Sequence, residues 1–273
     1  MTETGRIASI YDEERPRKFG DMCGLESEIE QIKRGITSPE PPNVYLLSGG
    51  TGSGKTTLAK IIARSKLCKQ RKVNDAEPCG QCYSCTRRLD YHVWSHSDYF
   101  EYDGNDLQSD NLSVEMTNEF LRERMVLFID EIQEASKGSQ VAFLKAIEIL
   151  SATLIVSTTH PEQLNDALMN RLKVFEYKLK RPSVDEVVGF LEKSFQKHGV
   201  TFQSHEQLRR IAVGYHCEMR PCSQFAGTTR ARVGTVLTDE FLDEMFGRGP
   251  EQEGGGVSSS SKPTGVKARR KAI

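Results

Sequence analysis

The octapeptide Gly49-Gly50-Thr51-Gly52-Ser53-Gly54-Lys55-Thr56 constrains this chain more than any other stretch. It is preceded by the apolar, β-rich run Val44-Tyr45-Leu46-Leu47-Ser48 and followed by Thr57-Leu58-Ala59-Lys60-Ile61-Ile62-Ala63-Arg64, whose apolar residues recur at helical spacing. Strand, glycine-rich turn, helix is the setting in which G-x-x-x-x-G-K-[ST] forms a phosphate-binding loop. Glycines let backbone N–H groups curl around an anion at positive φ, and the helix N-terminus adds partial positive charge. Gly49, Gly50, Thr51, Gly52, Ser53, Gly54, Lys55, Thr56 and Thr57 are therefore expected to hold ATP. Lys55 would reach the β- and γ-phosphates and the Thr56 hydroxyl would take one place on Mg²⁺.

A second run, Met125-Val126-Leu127-Phe128-Ile129, closes on Asp130-Glu131. A continuous apolar run of this length predicts a buried parallel strand, whose C-terminal end emerges beside the phosphate loop in an open α/β sheet. Asp130 is placed to hold Mg²⁺ through water, and Glu131 to orient or deprotonate an attacking water. Further strands are expected near residues 98, 152 and 173, the last as Lys173-Val174-Phe175-Glu176-Tyr177, with Thr158 and Thr159 ending the one that begins at Ala152. The helices between them include Ser139 to Glu148 and a short one around Pro161 to Met169. Ile29, Ile32 and Ile36 mark one face of another, ahead of the loop. The predicted class is α/β: a parallel sheet with helices on both faces, followed by an all-helical part.

Cys68, Cys79, Cys82 and Cys85 form a group with paired short spacings around Pro78-Cys79-Gly80. Four thiolates close a tetrahedral Zn²⁺ site and leave no ligand position open, so the expected metal is architectural, with redox or unrelated thiols as the alternative. His92, Trp94 and His96 lack a matching carboxylate or cysteine pattern and are expected to pack or lie on the surface. Cys23, Cys217 and Cys222 are expected to be plain buried thiols.

The boundaries expected are a core at 1–180 carrying the knuckle at 68–85, a helical lid or sheet cap at 181–248, and a Gly/Ser-rich tail at 249–273. The formal charge of −1 conceals an asymmetry: no acid follows Glu253, while Lys262, Lys267, Arg269, Arg270 and Lys271 do. An acidic body with a basic arm argues against simple DNA coating; the arm itself suits either nucleic-acid contact or solubility. No apolar run is long enough to span a membrane and Met1-Thr2-Glu3-Thr4-Gly5-Arg6 lacks a signal-peptide core, so a cytoplasmic protein without membrane contact is expected.

From Arg15 to Arg220 the order of motifs resembles the AAA+ ATPases of the clamp-loader group, as found in bacterial DNA polymerase III. The resemblance runs through Arg15-Pro16, the phosphate loop, the cysteine group placed directly after the first helix, Glu101-Tyr102-Asp103, Ile129-Asp130-Glu131-Ile132, Ala142-Phe143-Leu144-Lys145-Ala146-Ile147-Glu148, Ser157-Thr158-Thr159 and Met169-Asn170-Arg171. It implies that Thr158 or Thr159 senses the γ-phosphate. It makes Arg171, within Asn170-Arg171-Leu172 where the family has Ser-Arg-Cys, a finger acting on a neighbouring subunit's ATP. It makes Arg220 the lid arginine that reports nucleotide, although Pro221 directly after it disfavours a helix there. The implied activity is ATP hydrolysis that loads a sliding clamp on primed DNA, with related subunits, the clamp and a DNA junction as partners. The family's helical collar is expected to be absent from this chain. A helicase loader or other DNA-remodelling ATPase, or an ATP-binding scaffold subunit, are the alternatives.

Overall fold

A computed structural model describes residues 15–86, 98–107, 124–148 and 151–247. The run containing His92, Trp94 and His96, and the basic tail, lie outside these residues.

Five strands make one parallel sheet in the order β2-β3-β4-β1-β5. They are β1 (Val44–Ser48), β2 (Tyr99–Asp103), β3 (Val126–Asp130), β4 (Thr153–Thr158) and β5 (Glu176–Lys178). The central strands read as apolar runs because both faces of the sheet are covered. The two-residue period sends Tyr45 and Leu47 of β1 to one face and Val44 and Leu46 to the other. On the first face they meet α1 (Glu26–Thr37) and α2 (Lys55–Leu67) through Ile32, Ile36, Leu58, Ile61 and Ile62, joined by Phe128 and Ile155. Leu46, Leu127, Ile129 and Val156 cover the second face together with Phe143 of α4 (Lys137–Glu148) and Leu168 and Leu172 of α5 (Asp166–Leu172). A one-turn helix, α3 (Tyr83–Thr86), lies in the cysteine segment.

Three expectations need correction. Of the thiols expected to be buried, Cys222 is, but Cys23 and Cys217 are only partly so. Lys173–Phe175 form a 3-10 turn that prolongs α5, and the strand begins only at Glu176. Val174 is 83% exposed, so the alternation around it does not mark a buried strand face. Similarly, Pro161–Gln163 form a separate 3-10 turn, and the helix starts afresh at Asp166, where the Asn165 side chain accepts from Ala167 N–H.

Beyond Arg181-Pro182 the chain is helical: α6 (Val184–His198), α7 (His205–Gly214), α8 (Met219–Arg232) and α9 (Asp239–Phe246). Ser183 and Glu186 cap α6 reciprocally, and Gly199 at φ 62° ends it. These helices close a third core around Leu191, Phe195, Leu208, Ile211, Phe225 and Leu242. Pro221 does not break α8, because it lies in the first turn, whose N–H groups have no intrahelical acceptor. Among the described residues no helix is long and apolar enough to cross a membrane.

Candidate nucleotide site and cysteine centre

The glycine-rich turn bridges the C-terminal end of β1 and the N-terminus of α2. Gly49, Gly52 and Gly54 have φ of 152°, 78° and 93°. At Gly49 crowding decides the residue, since a Cβ would lie 2.3 Å from the Leu179 carbonyl oxygen. Gly54, next to the first residue of α2, needs the left-handed backbone that turns the N–H groups inward.

Lys55 is only 5% exposed, and its ammonium donates to the carbonyls of Gly49 at 2.9 Å and Gly50 at 3.3 Å. It also faces Glu131 Oε1 at 3.7 Å. Burial pulls the Lys55 pKa below its ordinary value, opposed by the charges of Glu131 and Asp130. Thr56 Oγ1 donates to Asp130 Oδ2 at 2.9 Å, which ties the loop to β3. The other Asp130 oxygen accepts from the Ser157 hydroxyl, and Ser157 Oγ accepts in turn from Glu131 N–H at 3.1 Å. Glu131 adopts a left-handed backbone at φ 49°, which turns its side chain off the strand line. Its Oε2 accepts from Gln133 Nε2 at 2.8 Å, Thr159 N–H at 3.0 Å and Thr159 Oγ1 at 2.8 Å. Burial would raise the Glu131 pKa; the bonds from Gln133 and Thr159 and the Lys55 charge outweigh it and hold the carboxyl below its usual range.

These groups open into a cleft of about 360 Å³ between the sheet and the helical part. Thr51 through Thr57, Asp130 and Glu131 line one side; Arg15, Pro16 and Met22 flank it, with Phe190, Met219 and Arg220 from α6 and α8 opposite. A volume of this size suits a small-molecule site, for which about 300–1,000 Å³ is usual. Thr158 is fully buried beside Glu131, donating to Gln133 Oε1 at 2.6 Å. Arg171 stands apart on α5, where its half-exposed guanidinium donates to Glu148 Oε1 at 2.7 Å. Three features went unnoticed in the motifs: Gln133, the bridging role of Ser157, and Arg181, which donates to Thr51 O at 3.2 Å and to Glu218 Oε1 at 3.0 Å. Arg181 thus clasps the phosphate loop to the segment leading into α8.

A hydroxyl and a carboxylate at the loop, Thr56 and Asp130, are the hard oxygen donors that Mg²⁺ takes. The four cysteines also converge: Cys68, Cys79, Cys82 and Cys85 place their sulfurs within 4.8 Å of one another. Cys79–Cys85 and Cys68–Cys82 sulfurs are 3.9 Å apart, close to the edge of about 3.8 Å in a tetrahedron with Zn–S bonds of about 2.3 Å. Gly80 at φ 75° makes the tight turn that lets Gln81 and Cys82 N–H both point at Cys79 Sγ, at 3.4 and 3.2 Å. This arrangement could hold zinc. Among the described residues it is the only such cluster of cysteine, histidine and acidic ligands.

Comparison with known proteins places this geometry in a lineage. A family model described as DNA polymerase III, delta subunit, matches residues 24–180, more than half of the chain. The tau subunit of DNA polymerase III from Bacillus subtilis is 27% identical over 68% of this chain and 33% of its own length. The gamma subunit from Buchnera aphidicola is 28% identical over 76% and 57%. For the tau/gamma subunit of Haemophilus influenzae the figures are 29% over 85% and 34%. The chain thus spans a third to somewhat over half of the length of these relatives. In fold it is similar to the Thermotoga maritima RuvB Holliday junction branch migration motor, with a TM-score of 0.65 at 19% identity over 85% of this chain and 72% of that one. A parallel five-stranded sheet with a phosphate loop and a helical C-terminal part is the AAA+ architecture, and the chain belongs to the DNA polymerase III delta-subunit family.

Proposed function

We propose that this chain binds and hydrolyses ATP as a clamp-loader-like subunit in DNA replication, using the nucleotide to load a sliding clamp on primed DNA. The observation that carries the reading is the convergence of Lys55 and Thr56 with Asp130 and Glu131 at one mouth of the sheet. Family membership and the tau and gamma relatives support the replication context.

Loop N–H groups from Gly49 to Thr57 and the Lys55 ammonium hold the phosphates. Thr56 and Asp130 hold Mg²⁺, which when bound neutralises phosphate charge. Glu131 aligns a water and takes its proton as the water oxygen bonds to the terminal phosphorus. The bond from that phosphorus to the bridging oxygen breaks, and ADP and inorganic phosphate leave. Thr158 or Thr159 senses the terminal phosphate. Arg220, opposite the loop across the cleft, reports occupancy to the helical part. Arg171, away from the chain's own cleft, serves a neighbouring subunit's ATP, so the catalytic set is completed only between aligned subunits. Zinc on Cys68, Cys79, Cys82 and Cys85 is architectural, since sulfur fills all four positions. Domain limits at residues 180 and 248 and a cytoplasmic setting accompany this reading.

The test is ATP turnover with a sliding clamp and primed DNA, added singly and together. Stimulation that needs both is the expected result. Full stimulation by DNA alone would convert the reading to a DNA-remodelling ATPase that acts without a clamp.

A further inference from the structure

Gln133 lies in the 3-10 turn Ile132–Glu134, directly after the carboxylate pair, and its half-buried side chain touches three residues given roles above. Nε2 donates to Glu131 Oε2 at 2.8 Å and to Thr159 Oγ1 at 3.0 Å, while Oε1 accepts from Thr158 Oγ1 at 2.6 Å. A carboxylate only accepts, so the amide nitrogen must face Glu131 and the amide oxygen must face Thr158. Each threonine hydroxyl has a single proton: that of Thr158 goes to Gln133, and that of Thr159 to Glu131 Oε2. Glu131 Oε2 thereby accepts from three donors while Oε1 faces Lys55. A carboxylate so fully engaged is firmly held in one orientation.

We propose that Gln133 is a positioning residue that couples recognition of the terminal phosphate by Thr158 to the orientation of Glu131. The inference rests on the nucleotide-site reading above. The Thr158 proton serves Gln133 or a phosphate oxygen, but not both. When it turns to phosphate, Gln133 Oε1 loses its donor in a half-buried position where an unmade bond is costly. The amide then reorients and draws Nε2 away from Glu131 and Thr159. Glu131 keeps fewer donors and is free to turn toward a water. ADP presents no terminal phosphate to Thr158 and leaves the three-residue clasp closed. Hydrolytic competence thus follows the third phosphate and not mere occupancy of the loop.

The experiment uses the full chain with Gln133→Ala and with Gln133→Met, which removes the amide but nearly keeps the volume. Affinities for ADP and for a non-hydrolysable ATP analogue are measured by calorimetry with Mg²⁺. With no acceptor for Thr158 to abandon, analogue affinity rises by about three- to tenfold, the scale of one hydrogen bond, and ADP affinity stays within about twofold. Equal changes for the two nucleotides, or no change in either, would overturn the coupling, since a merely structural role cannot tell them apart. The wild-type protein separates the two levels: if it binds neither nucleotide the proposed function fails and the coupling with it. If it binds both without turnover, hydrolysis alone is lost and the affinity split still decides.

Discussion

The phosphate-loop site and the cysteine knuckle sit at opposite ends of α2, yet they are assembled by different physics. At the loop, every charge has a partner supplied by the packed scaffold: Lys55 meets carbonyls and Glu131, and Asp130 meets Thr56 and Ser157. Folding of the sheet is sufficient to build it, because β3 and β4 pair Ile129 with Val156 and so bring Ser157 beside Asp130. In the knuckle, four sulfurs converge with backbone N–H groups and the Gln70 side-chain oxygen against them. Ionising them together would require a cation, so a bound metal would stabilise the knuckle, whereas the charges of the loop are balanced without one.

The largest expected effect breaks the loop and spares the knuckle. Lys55→Ala removes a buried cation from the phosphate cradle, and ATP affinity measured by calorimetry should fall by about 100-fold or more. Because burial already opposes the Lys55 charge, its thermal midpoint should not fall in parallel. Retained ATP affinity would remove Lys55 from the site.

Next in size is the converse. Cys82→Ser, or removal of zinc by a chelator, should open the segment from Cys68 to Thr86 to proteolysis and lower the thermal midpoint. ATP affinity should remain within about threefold, because none of the four sulfurs reaches the cleft. Loss of ATP binding on chelation would mean that the two regions are a single unit after all. A protein purified without bound zinc that resists proteolysis there would show a metal-independent knuckle.

The same contrast explains what could be read from residues alone. The loop, the run into Asp130-Glu131 and the cysteine spacing are local: the groups that act together are neighbours in sequence or carry a pattern, so motif and periodicity suffice. Gln133, Ser157 and Arg181 act across elements. Ser157 matters because β4 lies beside β3 in one register, and Arg181 because the chain returns past Thr51 on its way to α6. No spacing in the sequence encodes those meetings. The start of β5 was illegible for a related reason. Alternation in Lys173–Tyr177 mimics a strand, but a 3-10 turn carries the chain on from α5 through Phe175 and only three residues remain to pair with β1.

The smallest effect on the isolated chain concerns the pair that lies outside the cleft. Arg171 and Glu148 are both about half exposed, so breaking their ion pair should change stability by less than about 1 kcal/mol. Glu148→Gln is the gentler of two variants, keeping shape and removing charge; Arg171→Ala removes the guanidinium. In the isolated chain neither should change ATP affinity, since Arg171 does not line the cleft. In assemblies Arg171→Ala should lose most of the turnover, whereas Glu148→Gln should alter it only modestly, by letting the guanidinium sample more directions than the one held now. The measurement is turnover against protein concentration. If Arg171→Ala matched the wild type at saturating concentration, Arg171 would be an ordinary surface partner of Glu148. A loss that was already complete in the dilute, unassembled chain would show that the arginine acts within its own subunit.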